Sequence, residues 1–205
     1  MKHFDSAIYC DNHILALDKP AGVATQPDFE EAAKAWIKAK YNKPGAVFLH
    51  PIHRLDKPVG GLVLFARTSK ALSRLQEQMR ERKIEKTYLA WVEGELPQSE
   101  GRLVHFLEHG SFQAYVSAQG KEAILDYKIV EQKSGLSLVE IQLVTGRYHQ
   151  IRAQFAAVGC PIVGDEKYGS RRPWSNGIAL HHVRMRFTHP VTKETIALES
   201  QKTIS

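Results

Sequence analysis

"PIHRLDKPVGGLVLFAR", residues 51–67, places a His, an Arg and an Asp within four positions, then a Lys-Pro, two glycines and an apolar run. The run "GLVLFAR" has strand length and no polar alternation, so it predicts a strand buried on both faces. Asp56, between Arg54 and Lys57, therefore stands at the mouth of a core. An Asp shortly before a Pro is ordinarily a turn residue. Three features favour a functional reading instead. The strand after it is apolar. Gly60 and Gly61 permit close backbone approach by a ligand. A second basic cluster, "GRYHQIR" at residues 146–152, can supply a counter-charge. A half-buried Asp paired with an Arg stays ionised, which suits a nucleophile or a base rather than a proton donor.

Outward from this stretch the chain alternates strand and helix patterns. "AIYCDNHILALDKPAGV" (7–23) reads as a short strand, a turn at Asp11-Asn12, a second strand and a Lys-Pro-Ala-Gly turn. "DFEEAAKAWIKAKYNKPG" (28–45) reads as a helix capped by Asp28, with acids in its first turn and basics in its last. "TSKALSRLQEQMRERKI" (68–84) is an amphipathic helix with Leu72, Leu75 and Met79 on one side. "KTYLAWVEGEL" (86–96) and "SLVEIQLVTG" (137–146) read as strands, the second with Val139, Ile141 and Leu143 alternating against Glu140 and Gln142. "RYHQIRAQFAAVGCP" (147–161) is a helix stopped by Gly159 and Pro161, with Ile151, Phe155 and Val158 as its stripe and Arg152 half-buried at its flank. The order lacks a strict βαβ rhythm, so the expected class is α+β, with a mixed, mostly antiparallel central sheet flanked by helices and loops. Length allows one sizeable core or two small lobes, and the expectation is a single domain over 1–205.

Composition excludes several classes. No apolar run approaches the ~18 residues of a membrane span, and charges scattered through the first twenty residues do not fit a signal peptide. The two cysteines, Cys10 and Cys160, lack any CxxC spacing and read as buried free thiols of a cytoplasmic protein. Ten histidines include no HExxH or comparable His-carboxylate spacing, so no metal is expected. The chain has no GxxxxGK[ST], GxGxxG or GxSxG, which removes nucleotide-driven chemistry, dinucleotide cofactors and a serine elbow. The formal net charge of +6 favours polyanionic partners. Tyr88 reads either as a core aromatic of a strand or as a base-stacking platform framed by Lys83 and Lys86.

As a set, these residues resemble a known family. "HRLDKPVGGLVLFAR" is similar to the catalytic motif of the RluA family of pseudouridine synthases, HRLD followed by a turn and an apolar strand. "GRYHQIRAQFAAVGCPIVGDEKYG" resembles its GR-x-HQIR motif running into a Pro-Ile-x-Gly-Asp-x-x-Tyr-Gly segment. "YCDNHILALDKPAGV" resembles its Lys-Pro-x-Gly motif, and "KTYLAWVEGEL" its Tyr-containing motif. Four positions depart from the pattern: Val59-Gly60 stand in place of Thr-Ser, Tyr148 in place of a small polar residue, and Gln154 in place of a frequent His. The expectation is a stand-alone catalytic domain without a preceding S4-like RNA-binding module.

The resemblance implies the pseudouridine synthase fold and isomerisation of uridine within ribosomal or transfer RNA, without cofactor or metal. It makes Asp56 the catalytic carboxylate, either nucleophile or base. Arg152 becomes its ionic partner, and Tyr88 the residue that stacks on the target uracil. Arg54 would fill the space a flipped-out uridine leaves. For His53, Arg147 and His149 two readings stand, a sugar–phosphate contact or a local structural hydrogen bond. Lys83 and Lys86, with Arg80, Arg82, Arg171 and Arg172, read either as a solvated charge run or as the basic surface by which the protein, expected to be a monomer, would hold its RNA. Two competing readings are a non-catalytic RNA-binding or chaperone protein of the same fold, and a hydrolase. The latter needs a second carboxylate, for which Asp165 is the nearest candidate.

Overall fold

The computed structural model describes residues 7–204, so the first six residues of the charged opening stretch lie outside it. The elements in chain order are β1 (Tyr9–Cys10), β2 (Ile14–Lys19), α1 (Glu30–Lys40), β3 (His50–Pro51), β4 (Gly60–Ala66) and α2 (Ser69–Arg80). Then come β5 (Glu85–Glu93), β6 (Glu100–His109), β7 (Ala114–Val116), β8 (Lys121–Lys133), β9 (Leu136–Leu143), α3 (Gln150–Ala157), β10 (Leu180–Thr188) and β11 (Thr195–Glu199). The class is α+β, as the sequence predicts, with antiparallel pairing throughout the registered ladders. Two compact units divide the chain: one runs to Ile84 and resumes over Val183–Thr203, the other is Glu85–His182. Among the described residues no helix is long and apolar enough to cross a membrane.

In the first unit β4 is the central strand, flanked by β2 and β10. Every residue from Gly60 to Ala66 is buried, because the strand has a helix on each face. Leu62 and Leu64 pack with Leu75 of α2 and with Met185 and Phe187 of β10. Phe65, on the opposite face, meets Phe29 at the start of α1 with ring centroids 5.8 Å apart. Each such side chain, fully withdrawn from water, contributes about 1.5–3 kcal/mol. The apolar run had to be unbroken for that reason.

The helices follow the sequence with one correction. Thr68 caps α2, its hydroxyl accepting from Ala71 N at 3.1 Å. Asp28 does not cap α1. A single wide turn precedes it, Phe29 N donating to Ala24 O at 3.1 Å with Gln26 extended, so the position before α1 is Phe29, with no side-chain cap. The charge order survives, with Glu30 and Glu31 in the first turn and Lys38 and Lys40 in the last.

In the second unit β5, β9, β8, β6 and β7 form a consecutive antiparallel ladder. Val139 and Ile141 of β9 are fully buried, as the alternation predicts. Helix α3 is buried on all sides from Gln150 to Phe155. That corrects the expected half-buried flank: Arg152 is only 5% exposed. Val158 lies past the helix end and is partly buried. Cys160 is buried and Cys10 only partly so, where it touches the Tyr41 hydroxyl at 3.4 Å.

Helix α2 ends in an unusual way. Lys83 N donates to Gln78 O at 2.9 Å and Arg82 N to Met79 O at 3.2 Å, a terminus that needs a left-handed residue at position 82. Arg82 adopts it, at φ 57°, without the freedom of glycine. Arg82→Gly should therefore stabilise the protein by about 0.5–1 kcal/mol. Urea denaturation checks this; a midpoint that stays or falls would show that the turn carries no strain.

Candidate active site

In the first unit, antiparallel register sets Lys19, the last residue of β2, opposite Gly61 of β4. The turn after β2 and the loop before β4 therefore meet at one end of the strands. Lys19 is fully buried, and its Nζ donates to Pro20 O (3.0 Å), Val23 O (2.7 Å) and Lys57 O (3.4 Å). Gly22 N donates to the same Lys57 carbonyl at 2.8 Å. Thr25 Oγ1 donates to Leu55 O at 2.9 Å and accepts from Leu55 N at 3.1 Å. Val59 N closes the turn on Asp56 O at 3.0 Å. Asp56 is half-buried, with Lys57 tied to the Lys-Pro-Ala-Gly turn and Leu55 to Thr25 just beyond it. Burial pushes the Lys19 ammonium down to about 8, against an opposing pull from the negative charge of Asp56.

Around that loop the basic neighbours separate. Arg54 and Lys57 are exposed. His53 is half-buried, and its Nε2 accepts from Leu64 N at 3.3 Å, a local structural bond. Lys83 is exposed and paired with Glu81 at 2.7 Å.

In the second unit Tyr88 on β5 is buried, and one face of its ring is covered by His182, with centroids 4.5 Å apart and planes at 18°. Lys86, two residues earlier on the same strand face, is also buried. This corrects the sequence reading that put Lys86 on a solvated basic surface. Its ammonium lies 3.6 Å from where a Cβ on Gly146 would be, and burial lowers its pKa.

The motif around α3 is built as a polar clamp. Asp165 takes Arg152 in a bidentate pair, with Nε at 2.7 Å and Nη2 at 2.8 Å, both side chains at most 5% exposed. The guanidinium also lies over the Tyr168 ring, 5.0 Å from its centroid. Tyr168 Oη accepts from Ala114 N at 2.8 Å and meets His149 Nδ1 at 3.0 Å. His149, at φ 50°, is buried and stacked under Tyr148. Gln150 Oε1 accepts from Thr145 Oγ1 (2.8 Å) and Arg147 N (2.9 Å), fastening the preceding loop to the helix. Its amide donates to Gln154 Oε1 at 2.9 Å, and Gln154, fully buried, donates to the carbonyls of Leu103 and Ala123. Arg147 is exposed, with Nε donating to Glu122 O at 2.9 Å.

Lys19, Gln150, Gln154 and Tyr168 were not named as site residues from the sequence, although each lies inside a quoted motif and a polar residue at a spacing that must be buried was the available signal. Asp165 was weighed only as a hydrolase's second acid, and Thr25 lies outside every quoted motif. Gly164, before Asp165, shows the constraint at its sharpest. Its φ is +83°, and a Cβ there would stand 2.5 Å from Trp174 Cβ, so only glycine fits. A carboxylate also holds the following basic loop: Glu93 accepts from the Ser170 hydroxyl and from Arg171 N and Arg172 N at 3.0 Å each.

Comparison with known proteins bears on this arrangement. The family described as RNA pseudouridylate synthase matches residues 13–157, a span that runs across both units. The chain is 35% identical over 211 aligned residues to "Ribosomal large subunit pseudouridine synthase C" of Escherichia coli (strain K12), covering 96% of the chain and 66% of that protein. It is 34% identical to "Uncharacterized RNA pseudouridine synthase YhcT" of Bacillus subtilis (strain 168), covering 94% of the chain and 67% of that protein. The chain thus spans about two thirds of the length of these relatives. Among solved structures, human RNA Pseudouridylate Synthase Domain Containing 4 superposes with a TM-score of 0.80 at 21% identity, over 94% of this chain and 87% of that one. Human RNA Pseudouridylate Synthase Domain Containing 1 superposes with a TM-score of 0.76 at 22% identity, over 98% and 90%. By motif, by matched span and by fold, this chain belongs to the RNA pseudouridylate synthase family.

Proposed function

We propose that this chain isomerises uridine to pseudouridine within ribosomal or transfer RNA, with Asp56 as the reacting carboxylate. Family membership supports the reaction class. The observation that carries the assignment is the Asp56 loop, in which Leu55 and Lys57 are pinned on either side of the carboxylate. A carboxylate so held loses little freedom on reaching a reacting geometry. The name of the Escherichia coli relative favours ribosomal RNA of the large subunit among the two substrate classes.

In the reaction the N1–C1′ bond breaks, the uracil turns, and a C5–C1′ bond forms. The C5 hydrogen leaves as a proton and N1 gains one, so atoms balance without oxidant, nucleoside triphosphate or metal. Asp56 serves by attack on the sugar carbon or by taking a proton. Arg152 is its ionic partner in this proposal. Asp165 grips the Arg152 Nε and Nη2. Tyr88, backed by His182, stacks on the uracil. The target uridine must leave its stack, and the exposed Arg54 fills the gap. Arg147 and Lys83, both exposed, meet phosphates, and Lys86 offers its charge from beneath Gly146. His53 and His149 hold loops. The two units form one catalytic domain that acts as a monomer in the cytoplasm.

The hydrolase reading loses its second acid, since Asp165 is buried and committed to Arg152. A purely RNA-binding role would leave the pinned Asp56 loop without a purpose.

Asp56→Asn keeps the shape of the side chain and removes its charge. We expect pseudouridine formation, read as tritium released from C5-labelled uridine in RNA, to fall by at least about 10²- to 10⁴-fold. RNA affinity should stay within about twofold. Activity above that range would assign the chemistry to another group. The same substitution tests the coupling to Lys19. The carboxylate charge holds the ammonium pKa up, so its loss should move the Lys19 midpoint below about 8. Nitrogen-detected NMR of the side chain measures this, and an unmoved midpoint would separate the two residues.

A further inference from the structure

A cavity of about 340 Å³ lies in the second unit, between the β6–β7 hairpin and the loop before α3. That is within the range of about 300–1,000 Å³ for sites that enclose small ligands. Leu107 and Ala114 form its buried apolar lining. Two glycines keep it open. At Gly120 a Cβ would stand 2.5 Å from the Leu107 backbone, so no side chain can project there, and Gly146 also presents none.

Its wall is aromatic and its edge is basic. Tyr148 is 41% exposed, yet its ring is fixed on two sides. It stacks on His149 with centroids 3.8 Å apart at 18°, and meets His109 at 4.1 Å and 71°. Such a ring offers stacking area already ordered before anything binds. Arg147 and Lys121 line the same cavity, and Arg147 has its Nε anchored on Glu122 O. The single acid of the lining, Glu108, accepts from the Ser117 hydroxyl at 2.8 Å and from the Tyr115 hydroxyl, which disperse its charge.

We propose that this cavity is a subsite for one unpaired nucleotide of the substrate RNA, flanking the target uridine. Its base stacks on Tyr148 and its phosphate meets Arg147 and Lys121. The inference rests on the reading of the chain as an RNA-modifying enzyme. It gives Tyr148, which stands where the family pattern has a small polar residue, a role in choosing the substrate. An acidic peptide would use the two cations but leave the aromatic wall without a partner.

The test uses the whole chain and a short single-stranded oligouridylate containing 4-thiouridine. Irradiation should cross-link it to the peptides carrying Tyr148 or His109, identified by mass spectrometry. Tyr148→Ala should weaken binding about five- to 150-fold, the range for loss of one stacked base, while Tyr148→Phe stays within about twofold. Lys121→Glu should flatten the salt dependence by roughly 0.7 in log affinity against log salt. Wild-type affinity in Tyr148→Ala, in a protein that still forms pseudouridine, overturns the subsite and leaves the proposed function standing. Cross-linking at Tyr148 by a protein that forms no pseudouridine in any RNA supports the subsite and removes the enzyme reading. Competition by polyglutamate that depends on Tyr148 overturns the nucleotide in favour of an acidic peptide.

Discussion

A buried ammonium is the constraint on which the Asp56 loop depends. Lys19 gives up hydration that no surface lysine loses, and burial alone drives its pKa well down. Three carbonyls and the charge of Asp56 offset that cost. Two of those carbonyls, Pro20 and Val23, belong to the turn Lys19 itself begins; the third, Lys57, belongs to the loop of Asp56. One side chain thus joins segments 38 positions apart. With the Gly22 amide and the Thr25 hydroxyl it fixes the backbone on both sides of the carboxylate. Satisfied buried networks of this kind define one arrangement, because any partial loosening leaves a polar group unpaired.

The second unit solves a related problem with amides and an ion pair. Helix α3 is buried all round, so its polar side chains must each find partners inside the protein. Gln150 and Gln154 satisfy backbone groups of the neighbouring loop and strands. Arg152 is held rigidly by Asp165 and Tyr168. Replacing the frequent histidine by Gln154 keeps the clamp, since an amide donates to two strand carbonyls and accepts from Gln150. The departure from the family pattern at this position is therefore accommodated by hydrogen bonding.

Local pattern made much of the fold legible. The unbroken run after Asp56 could only be a strand covered on both faces, and it is. The Leu72, Leu75 and Met79 spacing marked α2, although Thr68 as its cap was not read from the sequence, and alternation marked β9. Asp28 misled because the wide turn closed by Phe29 N on Ala24 O already leads into α1, with Phe29 packed on Phe65 at the position before the helix. Arg152 and Lys86 misled for a common reason. Charged residues are usually exposed, and their burial rests on partners or neighbours far along the chain. Asp165 lies 13 positions from Arg152, and Gly146 lies 60 from Lys86. Hydrophobic spacing carries no trace of such pairs, so the chemistry-bearing motifs were visible while their wiring was not.

The central claim is that this chain makes pseudouridine in cellular RNA. Carbodiimide mapping of pseudouridine in total RNA, from a strain lacking the gene and from its parent, tests it most directly. The account predicts that at least one pseudouridine in ribosomal or transfer RNA disappears in the deletion strain and returns when the gene is restored. Identical maps from the two strains, at full coverage of both RNA classes, would contradict it.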